Sequence, residues 1–79
     1  MLDMKLTDRI VLNPNVLAGK PVIEGTRLSV QFIIGLLANG MTNQEILAEY
    51  PYISQDDIRA CLLYASKSLD DSLFMPLAA

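Results

Sequence analysis

The sequence lacks histidine and tryptophan, and it has one cysteine, Cys61, in 79 residues. A single cysteine excludes a disulfide within the chain, and without histidine the usual ligand sets for zinc and iron are incomplete. Cys61 has no histidine with which to form a nucleophile–base pair. It falls on an apolar helical stripe, which is typical of a core thiol. We therefore predict that the protein is not an enzyme and binds no cofactor or metal.

Long hydrophobic runs are also absent. The most apolar stretch, 30–38, is interrupted by Gln31 and Gly35 and is shorter than the roughly 18 residues that a membrane span needs. The N-terminal residues lack the apolar region of a signal peptide, and one thiol without an export signal indicates the cytoplasm. We therefore predict a cytoplasmic protein that does not associate with membranes.

The chain is nevertheless rich in hydrophobic residues for its length. They make up 52% of the sequence, and the mean hydropathy is +0.34. A chain this short buries only about 60% of its unfolded surface, and disulfides, metals or oligomerisation usually provide the missing stability. Because the composition argues against the first two, we expect a partner chain.

The net charge of −3 is unevenly distributed. Residues 1–30 contain four basic and three acidic residues, whereas residues 31–79 contain two basic and six acidic residues. Binding to nucleic acid requires clustered cations. Any phosphate contacts are therefore expected from Arg9, Lys20 and Arg27.

Two extended segments are predicted near the N-terminus, at 9–13 and 21–29, where β-branched and apolar residues cluster. They could pair as a short hairpin across the intervening loop, in which Gly19 is interpreted as a turn glycine. Pro21 has no amide donor and is expected at a sheet edge or at the start of a strand. Gly25 is expected to provide a corner with positive φ.

Three helices are predicted to follow. The first covers about 30–39, and the second stops near Tyr50 because Pro51 follows it. Their start signals are a capping serine and two capping boxes: Ser29, Thr42 with Glu45, and Ser54 with Asp57. The third helix has an apolar stripe at helical spacing: Ile58, Cys61, Leu62, Ala65 and Leu69.

These elements predict a mainly α fold, a small three-helix helix-turn-helix-like domain preceded by a short β-hairpin or extended N-terminal segment. The domain is assigned to residues 9–69. Residues 1–8 are interpreted as an N-terminal arm and 70–79 as an apolar C-terminal tail.

The first helix is apolar over most of its circumference, with only a narrow polar stripe. A helix of this kind is buried on most sides, and a three-helix domain does not provide that much cover. We therefore predict a homodimer through this helix, with an interface that includes Phe32, Ile33, Leu36 and Leu37.

The segment GKPVIEGTR (19–27), followed by an apolar helix ending in Asn-Gly and a helix ending in Tyr-Pro, resembles the bacterial domain-of-unknown-function family 433. The resemblance covers residues 9 to about 66 and departs at Ser29, where relatives commonly have proline. It implies a helix-turn-helix-like domain that acts as a VapB-type antitoxin beside a PIN-like ribonuclease toxin. The composition alone indicates only a small, acidic domain that needs a partner.

The tail contains four large apolar residues close together, Leu73, Phe74, Met75 and Leu77, and exposed apolar clusters usually mark a contact surface. One interpretation is that the tail docks on the toxin and becomes ordered on binding. The alternative is a frayed end that packs on its own dimer.

Two functional hypotheses remain. In the first, the protein is an antitoxin that dimerises and neutralises a PIN-like ribonuclease. In the second, it is a stand-alone helix-turn-helix regulator that binds DNA. A DNA reader would present Gln55 and Arg59 to bases, but Asp56 and Asp57 between them would repel phosphate. The two hypotheses are compatible, because many antitoxins bind their own operator.

Overall fold

The computed structural model describes residues 4–70. Three strands come first along the chain: β1 (Met4–Thr7), β2 (Ile10–Leu12) and β3 (Pro21–Ile23). Three helices follow: α1 (Val30–Ala38), α2 (Asn43–Glu49) and α3 (Gln55–Asp70).

The strands form an antiparallel sheet in the order β1-β2-β3. Ile10 pairs with Ile23 and Leu12 pairs with Pro21, so the predicted hairpin between the two extended segments is present. Pro21 is the first residue of an edge strand, where the missing amide donor costs no ladder hydrogen bond.

The expectation of a mainly α fold is wrong, because a three-stranded sheet at the N-terminus makes the domain mixed α/β. Residues 4–7, assigned above to an arm, form β1. Two local features hide this strand from sequence reasoning. The β1–β2 register shifts between Lys5 and Thr7, which breaks the alternation of a strand. The turn at Asp8 and Arg9 also lacks glycine and asparagine, although Arg9 has a φ of 79°.

The helix boundaries follow the predicted capping signals. The Ser29 hydroxyl accepts the Phe32 N–H at 2.9 Å at the start of α1. The capping box of Thr42 and Glu45 is complete in both directions. At the start of α3, Asp57 Oδ2 accepts the Ser54 N–H at 2.9 Å, and Ser54 Oγ accepts the Asp57 N–H at 3.3 Å. Both capping-box predictions are confirmed.

The core lies between the sheet and the helices, because α1 contacts α3 and β3 while α3 contacts β2. Its buried residues come from both layers: Ile10, Ile23, Leu28, Val30, Ile33, Ile46, Ile53, Ile58, Ala60 and Cys61. The predicted stripe on α3 is only partly correct. Leu62 and Leu69 are 45% and 70% exposed, whereas Ala60 is buried. Contact with β2 helps to set which face of α3 is covered.

Candidate functional site

The four α1 residues proposed above for a dimer interface do not share one surface. Ile33 is fully buried in the core of its own chain, so its side chain is not accessible to a partner chain. Phe32 is 41% exposed, while Leu36 and Leu37 are partly buried against the core. Val30 and Ile33 of α1 are buried, and the helix packs on β3 and α3 of the same chain. Both elements were predicted, but the sequence does not show which side of α1 they cover.

Arg9 forms ion pairs at the start of α3 instead of extending into solvent. Its Nη1 lies 3.0 Å from Asp57 Oδ1, and its Nη2 lies 3.6 Å from Asp56 Oδ2. The hydrogen bond to Asp57 and the nearby carboxylate charges raise the pKa of the Arg9 guanidinium. Arg9 therefore connects the β1–β2 turn to α3, and its charge is balanced within the chain.

The other residues proposed for DNA contact fall into two places. Arg59 lines a hollow with Arg9, in which Asp8 and Asp56 are also present. Gln55, exposed at the first position of α3, directly precedes Asp56. Lys20 and Arg27 line a different hollow. The five residues therefore do not form one basic surface.

The hollow at Lys20 and Arg27 is an open groove of about 660 Å³, here called the basic groove. Its walls come from the 17–20 turn, the 27–29 segment, α1 and the end of α2: Leu17, Lys20, Arg27, Ser29, Phe32 and Tyr50. Lys20 and Arg27 are exposed, and neither forms an ion pair with another residue of the described chain. The basic groove thus combines two unneutralised cations with apolar walls.

The turn beside the basic groove has an uncommon backbone conformation. Leu17, Ala18 and Gly19 have φ values of 49°, 56° and 81°. Residues other than glycine rarely adopt this region and do so at a cost in free energy. The turn is closed by hydrogen bonds from the Gly19 N–H to the Val16 carbonyl and from the Lys20 N–H to the Leu17 carbonyl. Leu17 is left 40% exposed at the rim.

Three aromatic rings contact one another in series beside the basic groove. Phe32 and Tyr50 meet edge to face, with ring centroids 5.9 Å apart, and Tyr50 meets Tyr52 in the same way at 6.4 Å. Such contacts fix the orientation of the rings. Sequence reasoning missed this arrangement, because Phe32 lies far along the chain from the Tyr-Pro-Tyr signal at the end of α2.

The GTR part of the opening motif shapes the segment that presents Arg27. Gly25 has a φ of 82° in a turn in which the Thr26 N–H donates to the Ile23 carbonyl. Thr26 Oγ1 donates to the same carbonyl at 2.8 Å and accepts the Leu28 N–H at 2.9 Å. The role of Thr26 was not predicted. A threonine hydroxyl in a turn can bond the backbone N–H two residues on, and this tendency could have indicated the role.

Cys61 is buried, and desolvation raises the pKa of its thiol to about 12, so it is not a nucleophile near neutral pH. Residues 4–70 contain no group of three or more cysteine, aspartate or glutamate residues that could hold a metal ion. Within the same range, none of the helices is long and apolar enough to span a membrane. The proposed tail residues Leu73, Phe74, Met75 and Leu77 lie outside the described residues.

Comparison with known proteins identifies the class of protein. Residues 10–65 match the family described as "Protein of unknown function (DUF433)". This match covers more than half of the chain, and the chain therefore belongs to that family.

Two relatives extend the comparison. The chain is similar to the uncharacterized protein y4eO of Sinorhizobium fredii, with 30% identity over 56 residues, which represent 71% of this chain and 25% of that protein. It is also similar to the crystal structure of a DUF433 member from Anabaena variabilis, with a TM-score of 0.76 and 28% identity over 82% of this chain and 64% of that one. The chain thus spans about a quarter of y4eO and under two thirds of the Anabaena protein.

Proposed function

We propose that the chain is an antitoxin-like interaction protein without catalytic activity, which dimerises and neutralises a PIN-like ribonuclease. The observation that supports this most directly is the exposed apolar surface. Six large apolar side chains are 40% to 70% exposed: Leu17, Phe32, Tyr52, Leu62, Leu63 and Leu69. Three of them are neighbours, because Leu17 and Phe32 line one groove and both Phe32 and Tyr52 contact Tyr50. Contiguous apolar surface on a small domain usually marks a protein contact. The ribonuclease as partner follows from the family resemblance.

The proposed dimer uses the part of α1 that remains accessible. With Ile33 in the core, the candidate interface residues are Leu36 and Leu37, which are half-buried in the isolated chain. Phe32 lines the basic groove and also a neighbouring hollow with Leu36, so it remains a candidate for this interface.

The alternative, a helix-turn-helix regulator that binds DNA, has less support. Arg9 is neutralised by Asp56 and Asp57, and those acids lie at the start of the helix that would enter the major groove. Lys20 and Arg27 alone provide few of the phosphate contacts that DNA binding commonly needs.

A tagged chain expressed from its own locus and purified from the native host tests the proposal. We expect it to co-purify with a PIN-like nuclease whose cleavage of RNA stops at equal stoichiometry of the two chains. Recovery of the chain alone, or a nuclease that remains active in the complex, would contradict the proposal. Recovery of the chain on its upstream DNA without any nuclease would favour the regulator.

A further inference from the structure

The basic groove brings together two exposed cations that form no ion pair within residues 4–70, an exposed leucine and two aromatic rings. In the hollow beside α3, Arg9 is paired with Asp56 and Asp57. Arg59 and Lys67 line the same hollow without an ion pair in the described chain, but Asp8 and Asp56 lie beside them and none of the described residues that line it is aromatic. The groove between α1 and the later part of α3 is lined almost entirely by apolar atoms and gives no indication of what would cover it.

We infer that the basic groove binds a peptide segment in which a large apolar residue is flanked by aspartate or glutamate. The apolar side chain would lie among Leu17, Phe32 and Tyr50, and the carboxylates would pair with Lys20 and Arg27. The inference rests on the proposed function in one respect, since it assigns this segment to the partner protein.

The first argument is charge complementarity. The chain carries a net charge of −3, so its overall charge does not favour an acidic ligand, and attraction needs a local cluster of cations. Lys20 and Arg27 lie on one groove and have no carboxylate partner in the described chain. An acidic segment is therefore attracted to this place on the domain and not to the acidic start of α3.

The second argument is the construction of the apolar walls. Leu17 is 40% exposed on a turn that places two successive non-glycine residues at positive φ. Backbone strain of this kind is found preferentially where a binding geometry requires it. On the opposite wall, the edge-to-face contact with Tyr50 holds Phe32 in place. An apolar side chain would thus enter a prearranged site, which lowers the entropy cost of binding.

The same features favour a peptide over a nucleic acid. Binding to single-stranded nucleic acid combines stacking on aromatic faces with a positively charged path along the backbone. The basic groove offers only two cations on an acidic domain, and its two rings, Phe32 and Tyr50, meet edge to face instead of forming parallel platforms for successive bases. A peptide with one large apolar side chain between carboxylates matches the two cations and the apolar walls of the basic groove better.

A titration of the full chain, followed by the amide resonances in ¹H–¹⁵N spectra at low ionic strength, tests the inference. The probe is the blocked peptide Gly-Ser-Asp-Glu-Leu-Asp-Glu-Ser-Gly. Two further peptides serve as controls, one with each acid replaced by its amide and one with the leucine replaced by serine. We expect the acidic peptide to shift resonances in residues 17–20, at Arg27 and at Phe32. Each control peptide should bind roughly tenfold more weakly.

Charge reversal on the protein provides the matched comparison. The double variant Lys20→Glu with Arg27→Glu should bind the acidic peptide roughly tenfold or more weakly than the parent does. The double variant Arg59→Glu with Lys67→Glu makes the same change in net charge outside the basic groove. It should bind the acidic peptide as tightly as the parent does. Equal losses in both double variants, equal binding of the three peptides, or shifts outside the basic groove would overturn the inference. It would also be overturned if an oligothymidylate produced the same shifts at lower concentration, or if reversal at Lys20 and Arg27 converted a dimer into a monomer.

Failure of this inference can be separated from failure of the proposed function. If a nuclease is recovered and binds the Lys20→Glu, Arg27→Glu variant as tightly as the parent, the basic groove is not its contact and the antitoxin proposal stands. If no nuclease is recovered, the antitoxin proposal fails, and the peptide titration alone decides whether the basic groove binds acidic segments.

Discussion

Glycine is favoured at position 25 by the backbone conformation and not by a lack of space for a side chain. No described atom lies within 4 Å of the position that a Cβ would occupy, yet its φ is +82°. A residue with a Cβ pays about 1–2 kcal/mol in this conformation. We therefore expect Gly25→Ala to lower the free energy of unfolding by about 1 kcal/mol, measured as a lower urea midpoint with an unchanged slope.

Gly35 provides the matched control for this prediction. It too has no described atom within 4 Å of the Cβ position, but it lies inside α1 with an ordinary helical backbone. Alanine favours a helix over glycine by up to about 1 kcal/mol. Gly35→Ala should therefore raise the urea midpoint. A change in the same direction for both variants would show that backbone conformation at Gly25 does not decide the outcome.

Asp57 connects two elements, because each of its carboxylate oxygens has a separate partner. Oδ2 accepts the Ser54 N–H within the capping box, and Oδ1 accepts a hydrogen bond from Arg9 in the β1–β2 turn. Asparagine offers one oxygen and can satisfy one of these donors only. Asp57→Asn should therefore lower the free energy of unfolding by about 1 kcal/mol.

Asp56 is the control, because it carries the same charge at the preceding position in the helix. Its side chain is 72% exposed and lies 3.6 Å from Arg9. Exposed pairs of this kind contribute little to stability. Asp56→Asn should stay within about 0.5 kcal/mol of the parent in the same urea titration. If the two asparagine variants unfold alike, the paired oxygens of Asp57 have no special role.

The elements differ in how well the sequence predicts them. The three helices follow from local signals, namely the caps at Ser29, Thr42 and Ser54 and the stop at Pro51. Strand β1 depends on pairing with β2 and contains a register shift after Lys5, so no local pattern identifies it. Short strands are stabilised by their neighbours, which a single-sequence interpretation does not see.

The candidate site also has a part that the sequence predicts and a part that it does not. Lys20 and Arg27 are recognisable as exposed cations in the basic N-terminal third, and their positions follow from the GKPVIEGTR segment. The walls between them are not recognisable, because they require positive φ at Leu17 and Ala18 and a contact between Phe32 and the end of α2. Neither a strained turn in non-glycine residues nor a long-range ring contact has a sequence pattern.

The oligomeric state of the protein is the subject of a further prediction. The first helix exposes less apolar surface than its composition suggests, since Ile33 is buried and Leu36 and Leu37 are partly covered. If those leucines close a dimer, replacing both with serine should convert the dimer to a monomer in sedimentation experiments, while unfolding remains cooperative. The Gln44→Ala variant, which changes an exposed residue on α2, is the control. A parent chain that sediments as a stable monomer at micromolar concentration would contradict the prediction.

The two hydrogen bonds accepted by the Asp57 carboxylate also have a kinetic consequence. Arg9 and Asp57 are 48 residues apart in sequence, so their contact closes a long loop across the domain. Because one carboxylate is shared between the hairpin and the first turn of α3, fraying of either element removes a partner from the other. We expect the amide hydrogens of these two regions to exchange with solvent in a common opening event, as one cooperative unit. The hairpin of β1 and β2, whose first strand has no local sequence signal, would then be the part that keeps the start of α3 closed.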